Sequence, residues 1–175
     1  MDQLARHFIE NEPRRPIGHV LGVQVASTRG WWVLPLLILG AGQVLGRLLG
    51  KRKHSVRNGI AFSALLGAAS AVHQVGHIAS ARVVGAPMDT LLVTPIRVST
   101  LYDDTGKQIA RGQNIGRAIG GPAANIATGF TALGCSLHFR QRYLRAFGVI
   151  SILTGIAALV PIAGNDGKVL FRRPS

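Results

Sequence analysis

Apolar residues fall into four long runs, at positions 31–49, 59–81, 119–137 and 144–163. Each approaches the ~20 residues that a helix needs to cross a bilayer. The first run opens on Trp31 and Trp32, a pair suited to the lipid–water interface, and Arg47 near its end can reach back to the surface. The second run closes on Arg82. The third and fourth contain glycines and polar residues, so at least one face of each is expected against protein rather than lipid. The connections at 51–58 and 138–143 are short and basic. The connection at 83–118 is longer and different in kind. Its stretch from Leu91 to Tyr102 is rich in β-formers, and the turn signal Asp103-Asp104-Thr105-Gly106 follows. The pattern predicts a mostly α, polytopic membrane protein. It has about four transmembrane helices, a small β-strand or hairpin insertion between the second and third, and a single domain over residues 1–175.

Composition supports this picture. Hydrophobic residues make up 47% of the 175 residues and charged residues 15%, against roughly 25% charged in a soluble domain. The 22 glycines suit close helix packing in lipid. A net charge of +13 would point to nucleic acid in a soluble protein. Here the bases cluster between apolar runs, so the expected partner is the lipid bilayer and not nucleic acid. The one cysteine, Cys135, lies in an apolar run and reads as a small buried residue. The first 30 residues carry Arg6, Glu10, Glu12, Arg14 and Arg15 and lack the apolar core of a cleavable signal peptide. The first run is therefore expected to act as an uncleaved anchor. With four spans, the termini share a face with the 83–118 connection. That face carries 12 of the 20 Lys and Arg residues and the other carries 8, so both termini are expected to be cytoplasmic.

The candidate chemistry sits in the second run, in Ser70-Ala71-Val72-His73-Gln74-Val75-Gly76-His77-Ile78. Residues i and i+4 share a helix face, so His73 and His77 can grip one metal ion, as in the zinc-binding H-E-x-x-H pattern. Gln74 stands where that pattern has its general base. Asp166 follows the fourth run directly, at the same side of the membrane as His77. Two histidines and a carboxylate supply the three protein ligands of a catalytic zinc site. Ionisable groups at membrane depth are costly and usually functional.

Three motifs in order resemble the site-2 protease family of intramembrane zinc metallopeptidases. His73-Gln74-Val75-Gly76-His77, followed by Ala79, Ala81-Arg82 and Gly85, resembles the family's H-E-x-G-H helix and its exit. Gly120-Gly121-Pro122-Ala123-Ala124-Asn125 resembles its G-P-x-x-N segment. Pro161-Ile162 with Asp166-Gly167 resembles its P-x-P-x-L-D-G ending. The resemblance implies zinc held by His73, His77 and Asp166. It also implies Asn125 as a polar group near the cleaved peptide, and a β-segment that pairs with an unwound transmembrane substrate. Three departures stand out: Gln74 for the catalytic Glu, Ala158 where the family often has Asn, and Ala163 and Asn165 for the second Pro and the Leu.

Gln has nearly the shape of Glu but accepts no proton at neutral pH. The sequence therefore supports a zinc metalloprotease scaffold that binds a transmembrane protein or peptide substrate, with hydrolysis disabled or severely impaired at position 74. The alternative is a non-catalytic pseudoprotease that binds membrane helices and regulates them. A metal or ion transporter is a weaker third reading, since its polar groups should line a whole path.

Overall fold

The computed structural model describes residues 13–49, 55–105, 107–162 and 165–171. Both termini, the basic residues Lys51, Arg52 and Lys53, and Ala163 lie outside the described residues. The chain opens with a hairpin, β1 (Arg15–Val20) and β2 (Val23–Ser27). Its two-residue loop has positive φ at Leu21 (49°) and Gly22 (73°), the backbone that matches the right-handed twist of paired strands. Glycine adopts this freely, whereas Leu21 does so against its own Cβ. The Arg82 guanidinium donates to the Leu21 carbonyl and holds the loop.

Helices α1 (Val33–Leu49) and α2 (Ser55–Val83) follow, then β3 (Thr90–Val93) and β4 (Val98–Leu101). The chain continues with α3 (Arg111–Phe139), α4 (Arg142–Ala158) and the one-turn α5 (Gly167–Leu170). The sheet order is β1-β2-β3-β4. β2 and β3 run parallel, with Gln24 opposite Thr90 and Ser27 opposite Val93. The other two pairs are antiparallel. Parallel neighbours need a long crossover, and here it is the α1–α2 hairpin. α1 packs on α2, α2 on α3, and α3 on α4, with a smaller contact between α2 and α4.

Large apolar side chains bury themselves mainly where the sheet meets the last turns of α2. Val23, Ile78, Ala81, Met88 and Leu91 form that core, with Val25, Val98 and Tyr102 packed against it. The helical part is built the other way round. Its contacts are small and polar: Asn125, Ser136 and Ser151 are at most 1% exposed, whereas Leu48 is 74%, Phe130 63% and Leu153 60% exposed. A Cβ at Gly129 would stand 2.8 Å from the carbonyl oxygen of Gly148, and one at Gly148 would stand 2.8 Å from that of Gly129. The α3–α4 crossing is therefore closed on backbone.

The structure bears out strands between the second and third helices, but the sheet is larger than an insertion. Its other half comes from the N-terminal segment 15–27. Strand β1 is exposed along its whole length and contains Pro16 and Gly18, so it carries no apolar alternation to betray it. Helices α2 and α3 overrun the apolar stretches, at 29 residues each. Helix α4 stops at Ala158, short of residue 163. Pro161 disfavours helical backbone at the residue before it, and the chain leaves the helix there. Among the described residues one helix segment, Val56–Val83, is long and apolar enough to cross a membrane, and Val33–Leu48 is apolar but shorter.

Candidate metal centre

Helix α2 places His73 and His77 one turn apart on the face that meets α3. The chain after α4 turns back to bring Asp166 onto the same spot. Asn165 secures that turn: its Nδ2 donates to the carbonyls of Ala157 (2.9 Å) and Val160 (3.4 Å). Asp166 Oδ2 then lies 3.1 Å from His73 Nε2 and 3.3 Å from His77 Nε2, and the two Nε2 atoms are 3.1 Å apart. The three residues form a group that could hold a metal ion.

The residues around these atoms fit a metal in three respects. First, the three donor atoms form a triangle with edges of 3.1–3.3 Å. Ligands about 2.0 Å from a tetrahedral zinc stand about 3.3 Å apart. Second, His77 Nδ1 donates to the Arg117 carbonyl at 2.7 Å. A carbonyl only accepts, so the proton is on Nδ1 and the Nε2 lone pair faces the other two donors. Third, a Cβ at Gly121 would stand 2.5 Å from His77 Nε2 and 2.7 Å from His73 Nε2. Glycine keeps open the space onto which both nitrogens look. Burial pushes the Asp166 carboxyl up, but its close contacts with the His73 and His77 rings outweigh burial and hold the group at about 2. It is a carboxylate at neutral pH.

Asn125 is fully buried and its Nδ2 lies 3.3 Å from His73 Nδ1, while its Oδ1 has no hydrogen-bond partner. A half-turn of the amide exchanges O and N. Oδ1 then accepts from His73 Nδ1–H, which answers the unpaired oxygen and bares His73 Nε2. Asn125 thus sits behind the His73 ring.

Gln74 points to the same place. It lines a cavity of about 230 Å³ together with His73, His77 and Asp166, and its Oε1 is buried without a partner. Ala158 and Asn165, two of the departures from the family pattern, line this cavity as well. Its far wall is β4, from Val98 to Thr100. β4 ends the sheet, so one side of its backbone is unpaired by the sheet. A larger cleft of about 540 Å³ runs from Leu34 and Leu37 on α1, past Leu66 on α2, to His73 and Gln74.

Arg117 ties the sheet to this centre. Its guanidinium grips Asp104 with two bonds, of 2.8 and 2.9 Å, and its Nε donates to the Ala86 carbonyl at 2.7 Å. Its Cζ lies 4.2 Å from the centre of the Tyr102 ring. The grouping of His73, His77 and Asp166 is legible in the sequence, but the Arg117 carbonyl and the opening made by Gly121 are not. A carbonyl is invisible in a sequence, and Gly121 reads first as a packing residue.

No protein-family model matches the chain and no curated protein does. Among solved structures, the chain is similar to a site-2 protease from Methanocaldococcus jannaschii, with a TM-score of 0.65 at 17% identity. The match covers 90% of this chain and 69% of that one. This chain has a site-2-protease-like fold.

Proposed function

We infer that the protein is an intramembrane metalloprotease scaffold that holds zinc and binds a transmembrane substrate segment, with peptide-bond hydrolysis disabled or severely impaired by Gln74. The observation that carries this is the convergence of His73 Nε2, His77 Nε2 and Asp166 Oδ2 on one point, with Gln74 lining the same cavity. His73, His77 and Asp166 would hold the zinc. When bound, zinc supplies Lewis-acid polarisation of a carbonyl. The chain's own residues do the rest. Arg117 and Asn125 orient the imidazoles, and Gly121 keeps room beside them. The β4 edge offers main-chain hydrogen bonds to an extended peptide. The cleft beside Leu34 and Leu37 gives an apolar segment a way to reach them.

The membrane reading is supported by the distribution of side chains. Small and polar residues fill the helix contacts, and large apolar ones face outward. This suits lipid, where helices associate by close packing rather than by burying apolar surface. The many large apolar side chains left exposed on the helices suit lipid better than water.

A carboxylate at position 74 could take a proton from a nucleophile and pass it to the leaving nitrogen; the Gln74 amide can do neither. This favours a second reading, in which the protein binds membrane helices without cutting them. Cleavage of a transmembrane peptide in liposomes by a Gln74→Glu variant separates the two. We expect a gain on the order of 10²–10⁴ in rate, abolished when His73→Ala is added. If the Gln74→Glu protein retains zinc and substrate but cuts nothing, the binding-only reading replaces the first. Absence of zinc from mildly purified protein would sink the metal site itself.

A further inference from the structure

At the opposite end of the helices, a cavity of about 390 Å³ opens between α2 and the outer face of α4. Three arginines, Arg140, Arg142 and Arg145, line it together with Phe62, Val149 and Ile150. On α4 the positions 142, 145, 149 and 150 fall on one helical face. They run from cationic at the helix start to apolar one turn in. Arg142 is held in place: it donates to the buried Asn58 Oδ1 at 3.3 Å and to the Tyr143 hydroxyl at 2.6 Å, and its guanidinium lies 4.5 Å from the centre of the Tyr143 ring. Arg140 has φ 51°, at a helix end where glycine or asparagine is usual. The first turn of α4 has no acidic residue. Among the described residues the acids are Asp89, Asp103, Asp104 and Asp166, which all belong to the sheet end.

We propose that this groove binds an anionic phospholipid, its phosphate between Arg140, Arg142 and Arg145 and an acyl chain along Phe62, Val149 and Ile150. The inference rests on the membrane reading above. Two features favour a lipid over a free anion. The cation cluster leads without a break into an apolar trough, which a free phosphate would leave empty. The depth is also right: from Gly121, beside the candidate zinc site, to Arg140 is 19 residues of helix, about 28 Å. That is close to the ~30 Å of a bilayer's hydrocarbon core, so the arginines fall at the headgroup level of the opposite surface. Guanidinium groups suit phosphate because they bind two of its oxygens at once.

The test has two stages. The protein is first reconstituted in phosphatidylcholine vesicles and floated; failure to float sinks the membrane reading and this inference with it. Native mass spectrometry of protein in detergent then compares added phosphatidylglycerol with phosphatidylcholine of the same acyl chains. We expect phosphatidylglycerol to be retained preferentially. An Arg140→Gln, Arg145→Gln double variant should lose about fivefold per arginine, roughly 25-fold in all, with zinc content unchanged as a check of the fold. Arg140→Lys, Arg145→Lys should retain part of the preference. Equal retention of both lipids by the unaltered protein overturns the proposal. So does competition by millimolar inorganic phosphate, which would make the groove a site for free anions. Tighter binding of an acidic peptide would make it a protein-docking surface, and would also overturn the proposal.

Discussion

The ring of His77 and the backbone of Arg117 are coupled: Nδ1 of the histidine donates to the carbonyl oxygen of the arginine at 2.7 Å. The same arginine's side chain leads to the sheet, through Asp104, Tyr102 and the Ala86 carbonyl. The start of α3 is thereby pinned between the metal candidate and the strand edge. Removing the Arg117–Asp104 contact should loosen both together.

Acid should do so reversibly. The hydrogen bonds from Arg117 hold the Asp104 carboxyl below its ordinary value. A carboxyl lowered in the folded state contributes stability above its unfolded pKa, and loses that contribution as pH falls through the lower folded value. The contribution is therefore present at pH 6 and fades below about pH 4. Asp104 is about a third exposed, so solvent screens the pair and the effect is modest, about 1 kcal/mol. Thermal melts in detergent at pH 6 and pH 3 should show Asp104→Asn less stable than the unaltered protein at pH 6 and nearly equal to it at pH 3. An equal difference at both pH values would mean that the pair is not the source.

Gly121 makes a sharper test of the metal centre than the ligands themselves. A Gly121→Ala variant adds one methyl group 2.5 Å from His77 Nε2. No flexible side-chain end is in the way; the obstacle is the pair of nitrogens. Overpacking of this kind costs roughly 1–3 kcal/mol, and here it falls on the donor atoms. Zinc affinity, measured by competition with a chelating dye, should drop at least about tenfold. Gly134, on the same helix with nothing within 4 Å of a Cβ, is the control, and Gly134→Ala should leave affinity unchanged.

Asn125 is expected to act through His73. Groups that hold a metal-binding histidine from behind change affinity by about 10–100-fold when removed. Asn125→Ala should therefore weaken zinc binding within that range. Asn125→Asp, which keeps an oxygen for Nδ1–H, should restore most of it. If both variants bind zinc normally and only substrate affinity falls, Asn125 is a substrate contact, as the family resemblance implies.

The helices and the donor triad were legible in the sequence because both depend on spacing. Runs of apolar residues mark helices, and His73 and His77 share a face wherever a helix forms. Asp166 needed only the order of the helices, since two more after α2, joined by a short connection, bring the chain back to the end of α2 that carries His77. The N-terminal hairpin was hidden because β1 is exposed and interrupted by Pro16 and Gly18. Its partner is also remote: β2 meets β3 only after two intervening helices. The orientation of His77 was hidden for another reason. It depends on a main-chain carbonyl whose position is set by Arg117, forty residues further along the chain.

The strand edge carries the last prediction. The sequence points to a peptide-receiving edge strand in the 83–118 connection, whose stretch from Leu91 to Tyr102 is β-rich. In the sheet, β3 is enclosed by β2 and β4, so a proline at Val93 would break the sheet itself. The open edge is β4. The Thr94 N–H donates to the Arg97 carbonyl at 2.9 Å across the turn. In an antiparallel pair, inward and outward backbone groups alternate. Counting from Arg97, residues Ser99 and Leu101 face β3, while Val98 and Thr100 turn their N–H groups to the open side. Thr100→Pro removes one outward donor and spares the ladder to β3. Losing one main-chain hydrogen bond costs about 0.5–1.5 kcal/mol, a few-fold to about tenfold in affinity. Crosslinking to a transmembrane peptide should fall by that factor, with zinc content unchanged. Thr100→Val keeps the N–H and removes only the hydroxyl, so it should bind as the unaltered protein does. If Thr100→Val loses as much as Thr100→Pro, the side chain rather than the strand edge receives the peptide.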